Sequence, residues 1–156
     1  MKTNLFKISV ILFLFSVVTT ACKKDKEKPD DSLIISYGLD VGLCYGYCNN
    51  KLTVKKDQLV LRRTDHNPTI TAKVCEGTIS TEDWNALKAA INLTEFSKLE
   101  ETYGCPGCND GGISWVEITY NGTTKRVTFE SGKEPDNMAA YLSILRKHRD
   151  SFKDCN

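Results

Sequence analysis

Two hydrophobic rhythms succeed each other along the chain from Leu33 onward. Leu33 to Val41 (LIISYGLDV) is rich in β-branched and aromatic residues and predicts a strand. The alternating stretches KLTVK and QLVLRRT flank a short polar turn at Lys56-Asp57 and predict a hairpin. His66-Asn67-Pro68 interrupts the pattern, because proline cannot donate to a strand ladder. Thr69 to Glu76 (TITAKVCE) resumes it as a fourth strand.

The period then lengthens. Trp84, Leu87 and Ile91 recur at spacings of three and four, which places them on one helical face. Ser80 stands at the N-cap, Asp83 at the third helical position, and Ile79 is placed to staple onto Trp84. Ser80 therefore has a capping role and is no candidate nucleophile. Further on, ISWVEITYNGTTKRVTFE contains two alternating runs that meet at Asn121-Gly122, a pair that accepts the positive φ angles of a type I′ turn. Pro135 opens a second helix, with Met138, Tyr141, Leu142, Leu145 and Phe152 as its apolar stripe. The order β-β-β-β-α-β-β-α predicts an α+β fold: a single antiparallel sheet of about six strands with two helices on one face.

The residues before Leu33 have a different character. Lys2 and Lys7 precede an apolar run, Ile8 to Val18, that is shorter than the roughly 20 residues a membrane-spanning helix needs. The run passes through small residues into Cys22 (TTAC), which resembles the lipobox of bacterial lipoproteins. That resemblance implies a signal peptide over residues 1–21, with Cys22 as the first mature residue carrying palmitate-type acyl chains. It implies in turn a membrane partner and a place in the bacterial cell envelope, at the periplasmic face or the cell surface. The alternative is an ordinary secreted protein cut at a nearby small residue. Each buried methylene of such an anchor contributes about 0.8 kcal/mol. Residues 22–32 continue as KKDKEKPDDS after the cysteine, without an apolar residue, and predict a disordered tether. The rest, 33–156, is long enough for one domain with its own core.

A formal net charge of +1 gives no electrostatic case for nucleic acid. The chain contains no G-x-S-x-G, H-E-x-x-H, phosphate loop or EF-hand loop, so no catalytic or cofactor-binding residue is expected. His66 falls in the DHNP turn. His148 stands among Arg146, Lys147 and Arg149 late in a helix, where cations suit the dipole. Asn109 to Gly112 (NDGG) lacks the alternating acidic ligands of a calcium loop and predicts a turn.

Six of the seven cysteines follow Cys22: Cys44, Cys48, Cys75, Cys105, Cys108 and Cys155. In an exported domain an even set implies disulfides, and sequence alone does not choose the pairing. Pro106-Gly107 suits the centre of a type II turn, which brings its end Cα atoms within about 7 Å, near disulfide range. Gly46 lets the Cys44–Cys48 loop bend back. A Cys75–Cys155 bond would close about 80 residues and contribute roughly 4.5 kcal/mol, against about 2 for the shortest loop. These arguments favour the set 44–48, 75–155 and 105–108, with a crossing of one local pair with Cys75 as the alternative. Two further readings of the CxxC stand beside this. A thioredoxin-like redox pair needs a helix after the second cysteine, and here a strand follows. A zinc site needs about four ligands, and Cys44, Cys48, Cys105 and Cys108 have usable spacing, but an oxidising compartment favours disulfides.

Tyr45 and Tyr47 lie inside the first cysteine loop, and Tyr103 precedes the second. Loop tyrosines held by disulfides are rigid and amphipathic and suit recognition; the alternative is that they fold onto the core. The stretch CYGYC, followed by a hairpin and then by a helix opening I-S-T-E-D-W, resembles a family of exported bacterial domains of unknown function that start Cys-Phe-Gly-x-Cys-Pro. Cys44, Gly46 and Cys48 match, Tyr45 stands for the aromatic Phe, and Asn49 departs from the Pro. The resemblance implies the fold over most of residues 34–152 and no activity. The expected function is a non-enzymatic, lipid-anchored envelope protein that binds an envelope protein or small ligand through its stapled loops. The alternative is an envelope thiol-disulfide or metal-dependent enzyme that uses the CxxC.

Overall fold

In the computed structural model, which describes residues 32–108 and 110–155, the alternating segments form one sheet. The expected signal peptide, the Cys22 lipidation site and the tether up to Asp31 lie outside the described residues. The strands are β1 (Ile34–Asp40), β2 (Asn49–Lys55), β3 (Gln58–Thr64), β4 (Lys73–Thr78), β5 (Thr102–Tyr103), β6 (Ile113–Tyr120) and β7 (Thr123–Glu130). Their order in space is β4-β3-β2-β1-β6-β7-β5. The seam between β1 and β6 thus joins the first four strands to the last three.

The class is α+β, but the sheet is mixed and has seven strands where about six antiparallel ones were expected. The difference is β5, which pairs parallel with β7 through Thr102↔Thr128 and Tyr103↔Phe129. Two residues cannot display an alternation, so this strand leaves no periodic signal. β4 begins at Lys73 instead of Thr69. The Asn67 side chain accepts from the Thr69 backbone N–H at 3.0 Å and from its hydroxyl at 2.8 Å, which holds residues 67–69 in a turn instead of a ladder.

Among the described residues there are three helices: α1 (Thr81–Ala90), α2 (Leu93–Lys98) and α3 (Ala139–Ser151). Ser80 caps α1 by accepting from Asp83 N–H at 3.0 Å. The short α2 was not expected; Asn92 caps it through Glu95 N–H at 3.1 Å, and Phe96 anchors it in the core. A 3-10 turn at Asp136–Met138 follows Pro135 and leads into α3. Lys56 and Asn121, at φ 57° and 49°, supply the left-handed positions of the two hairpin turns.

The register aligns one apolar face. Ile35 stands opposite Val54 and Ile118, and Tyr37 opposite Leu52 and Val116. Leu87, Phe96, Met138, Leu142 and Leu145 of the helical segments join this face in one core. A disulfide between Cys75 of β4 and Cys155, beyond α3, closes the structure, and Cys155 is buried. Phe152 packs over Gly77 beside it. Between the helices, Asp83 of α1 meets Lys147 at 2.9 Å and His148 at 3.1 Å on α3. His148, late in α3 as expected, is a buried residue of the helix interface. The Lys147 hydrogen bond, above all, holds the Asp83 carboxyl below its ordinary range.

The other face of the sheet carries no helix-packed core residues and is built differently. Trp115 of β6 lies flat across Gly38 of β1; a Cβ at Gly38 would fall inside the indole ring. Its Nε1 donates to Asp40 Oδ2 at 2.9 Å, and the Arg126 guanidinium stacks 4.0 Å from the ring centroid. Arg126 in turn donates to Glu117 at 2.8 Å. The indole is buried under a charged cover, on the face opposite the hydrophobic core.

Candidate binding cleft between the stapled loops

Three connections reach the same end of the sheet. Asp40, the last residue of β1, stands opposite Asn49 of β2 and Ile113 of β6, and Asn49 stands opposite Thr64 of β3. The β1–β2 loop (41–48), the β3–β4 connection (65–72) and the β5–β6 loop (104–112) therefore all extend beyond this one row.

The first loop is closed by Cys44–Cys48, with Cα atoms 5.7 Å apart. Val41 N–H donates to Cys48 O at 3.0 Å, and Gly46 takes φ 85°. So tight a loop turns its side chains outward: Leu43 is 84% exposed and Tyr45 fully exposed, at 106%. Tyr47 is half-buried, and its hydroxyl donates to Thr71 O at 3.3 Å, tying the loop to the β3–β4 connection.

The second loop is closed by Cys105–Cys108, with Cα atoms 5.5 Å apart. Cys108 N–H donates to Cys105 O at 3.0 Å, and Gly107 takes φ 81°, as a Pro-Gly turn requires. Glu130 Oε2 accepts from Cys105 N–H at 3.1 Å. The next regular element is β6, so no helix follows Cys108 to supply the N-terminus of a thioredoxin-like pair. Tyr103 belongs to β5 and packs against the core, and its hydroxyl accepts from Glu100 N–H at 3.1 Å.

A cleft of about 490 Å³ lies between the loops. Residues 40–43 form one wall; Gly107, Asp110 and Ile113 form the other, and His66 closes a side. Gly112, at φ 81°, forms the floor, where a Cβ would come within 2.8 Å of Asp40 O. The wall residues are aliphatic, glycine or acidic, and among the described residues no lysine or arginine lines the space. His66 Nε2 lies 2.8 Å from Val41 O. A carbonyl can only accept, so Nε2 carries a proton, and in the neutral ring the lone pair is then on Nδ1. A ring nitrogen of His66 and the sulfurs of Cys44 and Cys48 all lie within 4.8 Å of one another. Among the described residues, Cys105 and Cys108 do not join that group.

His66, Asp40 and Leu43 were not legible as site residues. The cysteine spacing pointed to the loops, but His66 reaches them only because the β2–β3 register carries Thr64 to Asn49. The signal in the chain was the break at His66-Asn67-Pro68, read there as a turn alone.

The architecture defines a class: a single-sheet α+β domain whose solvent-facing chemistry gathers in disulfide-closed loops at one end of the sheet. The chain belongs to the family described as Domain of unknown function (DUF6438), whose pattern matches residues 37–149. The match spans both stapled loops and His66 and stops short of Cys155. Among curated proteins, none matches the chain. No helix among the described residues is long and apolar enough to cross a membrane.

Proposed function

We propose that this protein is a non-enzymatic recognition module of the bacterial envelope, held to a membrane by lipid on Cys22 and binding through the end of the sheet that carries the stapled loops. The observation that carries the reading is the cleft between the loops, which exposed Leu43 lines, with Tyr45 fully exposed on the same loop. Its volume falls in the range of about 300–1,000 Å³ typical of small-ligand sites. Large apolar side chains on a rigid, closed loop lose little conformational entropy on binding. Asp40 and Asp110, with no lysine or arginine among the described lining residues, favour a neutral or cationic group over an anion as the guest. The lipid anchor is supported by the TTAC ending and by the charged segment that follows it.

The test compares capture from a native envelope extract by wild type, Leu43→Ser and Tyr45→Ala. Both residues are exposed, so truncation should change stability by under about 0.5 kcal/mol. Capture of the wild-type partner should fall for both variants at unchanged melting temperature. Unchanged capture, or unfolding many degrees lower, overturns the recognition reading. Cys22→Ser should leave the domain soluble or unprocessed, and membrane retention like that of wild type overturns the anchor.

A further inference from the structure

We propose that Cys44, Cys48 and His66 form a thiolate–imidazole metal site that opens when the Cys44–Cys48 disulfide is reduced and takes a zinc-like cation. A ring nitrogen of His66 and the sulfurs of Cys44 and Cys48 already lie within 4.8 Å of one another, so a turn of the imidazole is all that brings its free nitrogen to the sulfurs. Around one tetrahedral zinc, with bonds of about 2.3 Å to sulfur and 2.0 Å to nitrogen, ligand atoms lie roughly 3.5–4 Å apart. Small rotations of the side chains cover the difference.

His66 is prepared for the role. Its Nε2–H donates to Val41 O at 2.8 Å, which orients the ring and, in its neutral form, places the lone pair on Nδ1. A backbone carbonyl on the far nitrogen is the usual support of a metal-bound histidine. The turn around it is itself fixed, with Asn67 N–H donating to Asp65 Oδ1 at 2.7 Å. Three protein ligands leave the fourth tetrahedral position to water or to a guest in the cleft that His66 lines.

Oxidation state is the gate, because only the thiolates are ligands. The reductant is a dithiol, the class of an envelope CxxC protein. Its thiolate attacks Cys44 Sγ, the less buried sulfur, and expels Cys48 as thiolate. The second thiol of the dithiol resolves the mixed disulfide and releases Cys44. The dithiol leaves oxidised to its disulfide, and its two protons pass to Cys44 and Cys48. A divalent cation then displaces both protons. The disulfide spans a sequence separation of only 4, against 80 for Cys75–Cys155, so opening it frees far less chain entropy than opening the long-range bond would.

This inference concerns the reduced protein and a metal ion. It stands or falls separately from the recognition reading, which concerns the oxidised loops. The experiment titrates Zn2+, and Co2+ as a spectroscopic substitute, into the purified full chain in detergent, before and after reduction by a phosphine. One equivalent should bind after reduction and none before, with a thiolate-to-cobalt charge-transfer band. Reduced Cys105→Ser/Cys108→Ser should keep the site, and Cys44→Ser/Cys48→Ser should lose both binding and band. His66→Ala, at an exposed position, should weaken binding about tenfold or more while the band from the remaining thiolates persists, and cobalt spectra should shift toward weaker-field coordination. Equal binding by the oxidised chain overturns the proposal. So does metal that follows Cys105 and Cys108, or an affinity for His66→Ala within about twofold of wild type.

Discussion

Replacing Cys75 and Cys155 together with alanine removes the one cross-link that ties distant parts of the chain. The bond spans a sequence separation of 80, against 4 and 3 for the loop staples. In the chain-entropy account the cost grows with the logarithm of loop length: about 4.5 kcal/mol for the long loop and about 2 for a loop of four or five residues. Cys155 is also fully buried among core residues, so the alanine loses packing as well. For a domain of roughly 120 residues, one kcal/mol moves the melting temperature by roughly 4 °C. The long-range pair should therefore lower it by about 18 °C, and Cys44→Ala/Cys48→Ala by about 8 °C. Thermal unfolding followed by far-UV circular dichroism without reductant measures both. Equal losses for the two pairs, or a loss under about 8 °C for the long one, would show that the C-terminal staple does not restrict the unfolded chain as argued.

Two further outcomes follow from other parts of the structure. Gly38→Ala should drive the Trp115 ring off the sheet, with the loss of its bond to Asp40, at a cost of about 2–4 kcal/mol. Gly42→Ala, with nothing within 4 Å, should be near neutral in the same denaturant titration; equal effects at the two glycines would refute the contact. The Asp83 carboxyl is held below its ordinary 3.8, first by the Lys147 hydrogen bond. Glu134 is held below its ordinary 4.5, where burial alone would raise it but its backbone bonds and Arg146 prevail. Groups depressed on folding stabilise above their unfolded pKa, and that stability is lost as pH falls through the folded value. The melting temperature should hold near neutrality and drop below about pH 4.5. Asp83→Asn with Glu134→Gln should flatten that acid limb, and an unaltered slope would count against both pairs.

Much of the fold was legible because it rests on local chemistry. Alternation marked β1, β2, β3, β6 and β7. Ser80 announced α1, and Asn121-Gly122 announced the last hairpin. The missing elements are those whose reasons are tertiary. Thr102 and Tyr103 become a strand only because the edge of β7 is open to them. Six residues of α2 are too few to show a helical period, although its Asn92 cap stood in plain view. Tyr45, Tyr47 and Tyr103 looked equivalent in the sequence, and the structure separates them: one free in solvent, one tied to Thr71, one in a strand. The cleft itself needed strand register, which brings Asp40, Thr64 and Ile113 to one row from three distant segments.

The indole of Trp115 sits where an optical probe would be placed by design. The chain has only two tryptophans, and the other, Trp84, is in the helical core. With Trp84→Phe, all indole emission comes from a ring whose Nε1–H is bonded to Asp40, a residue that also lines the cleft. Any guest that draws the Asp40 carboxylate toward itself changes the polarity and hydrogen bonding of the emitting ring. On the proposed reading of the cleft, Trp115 in the Trp84→Phe chain becomes an internal, label-free reporter of cleft occupancy.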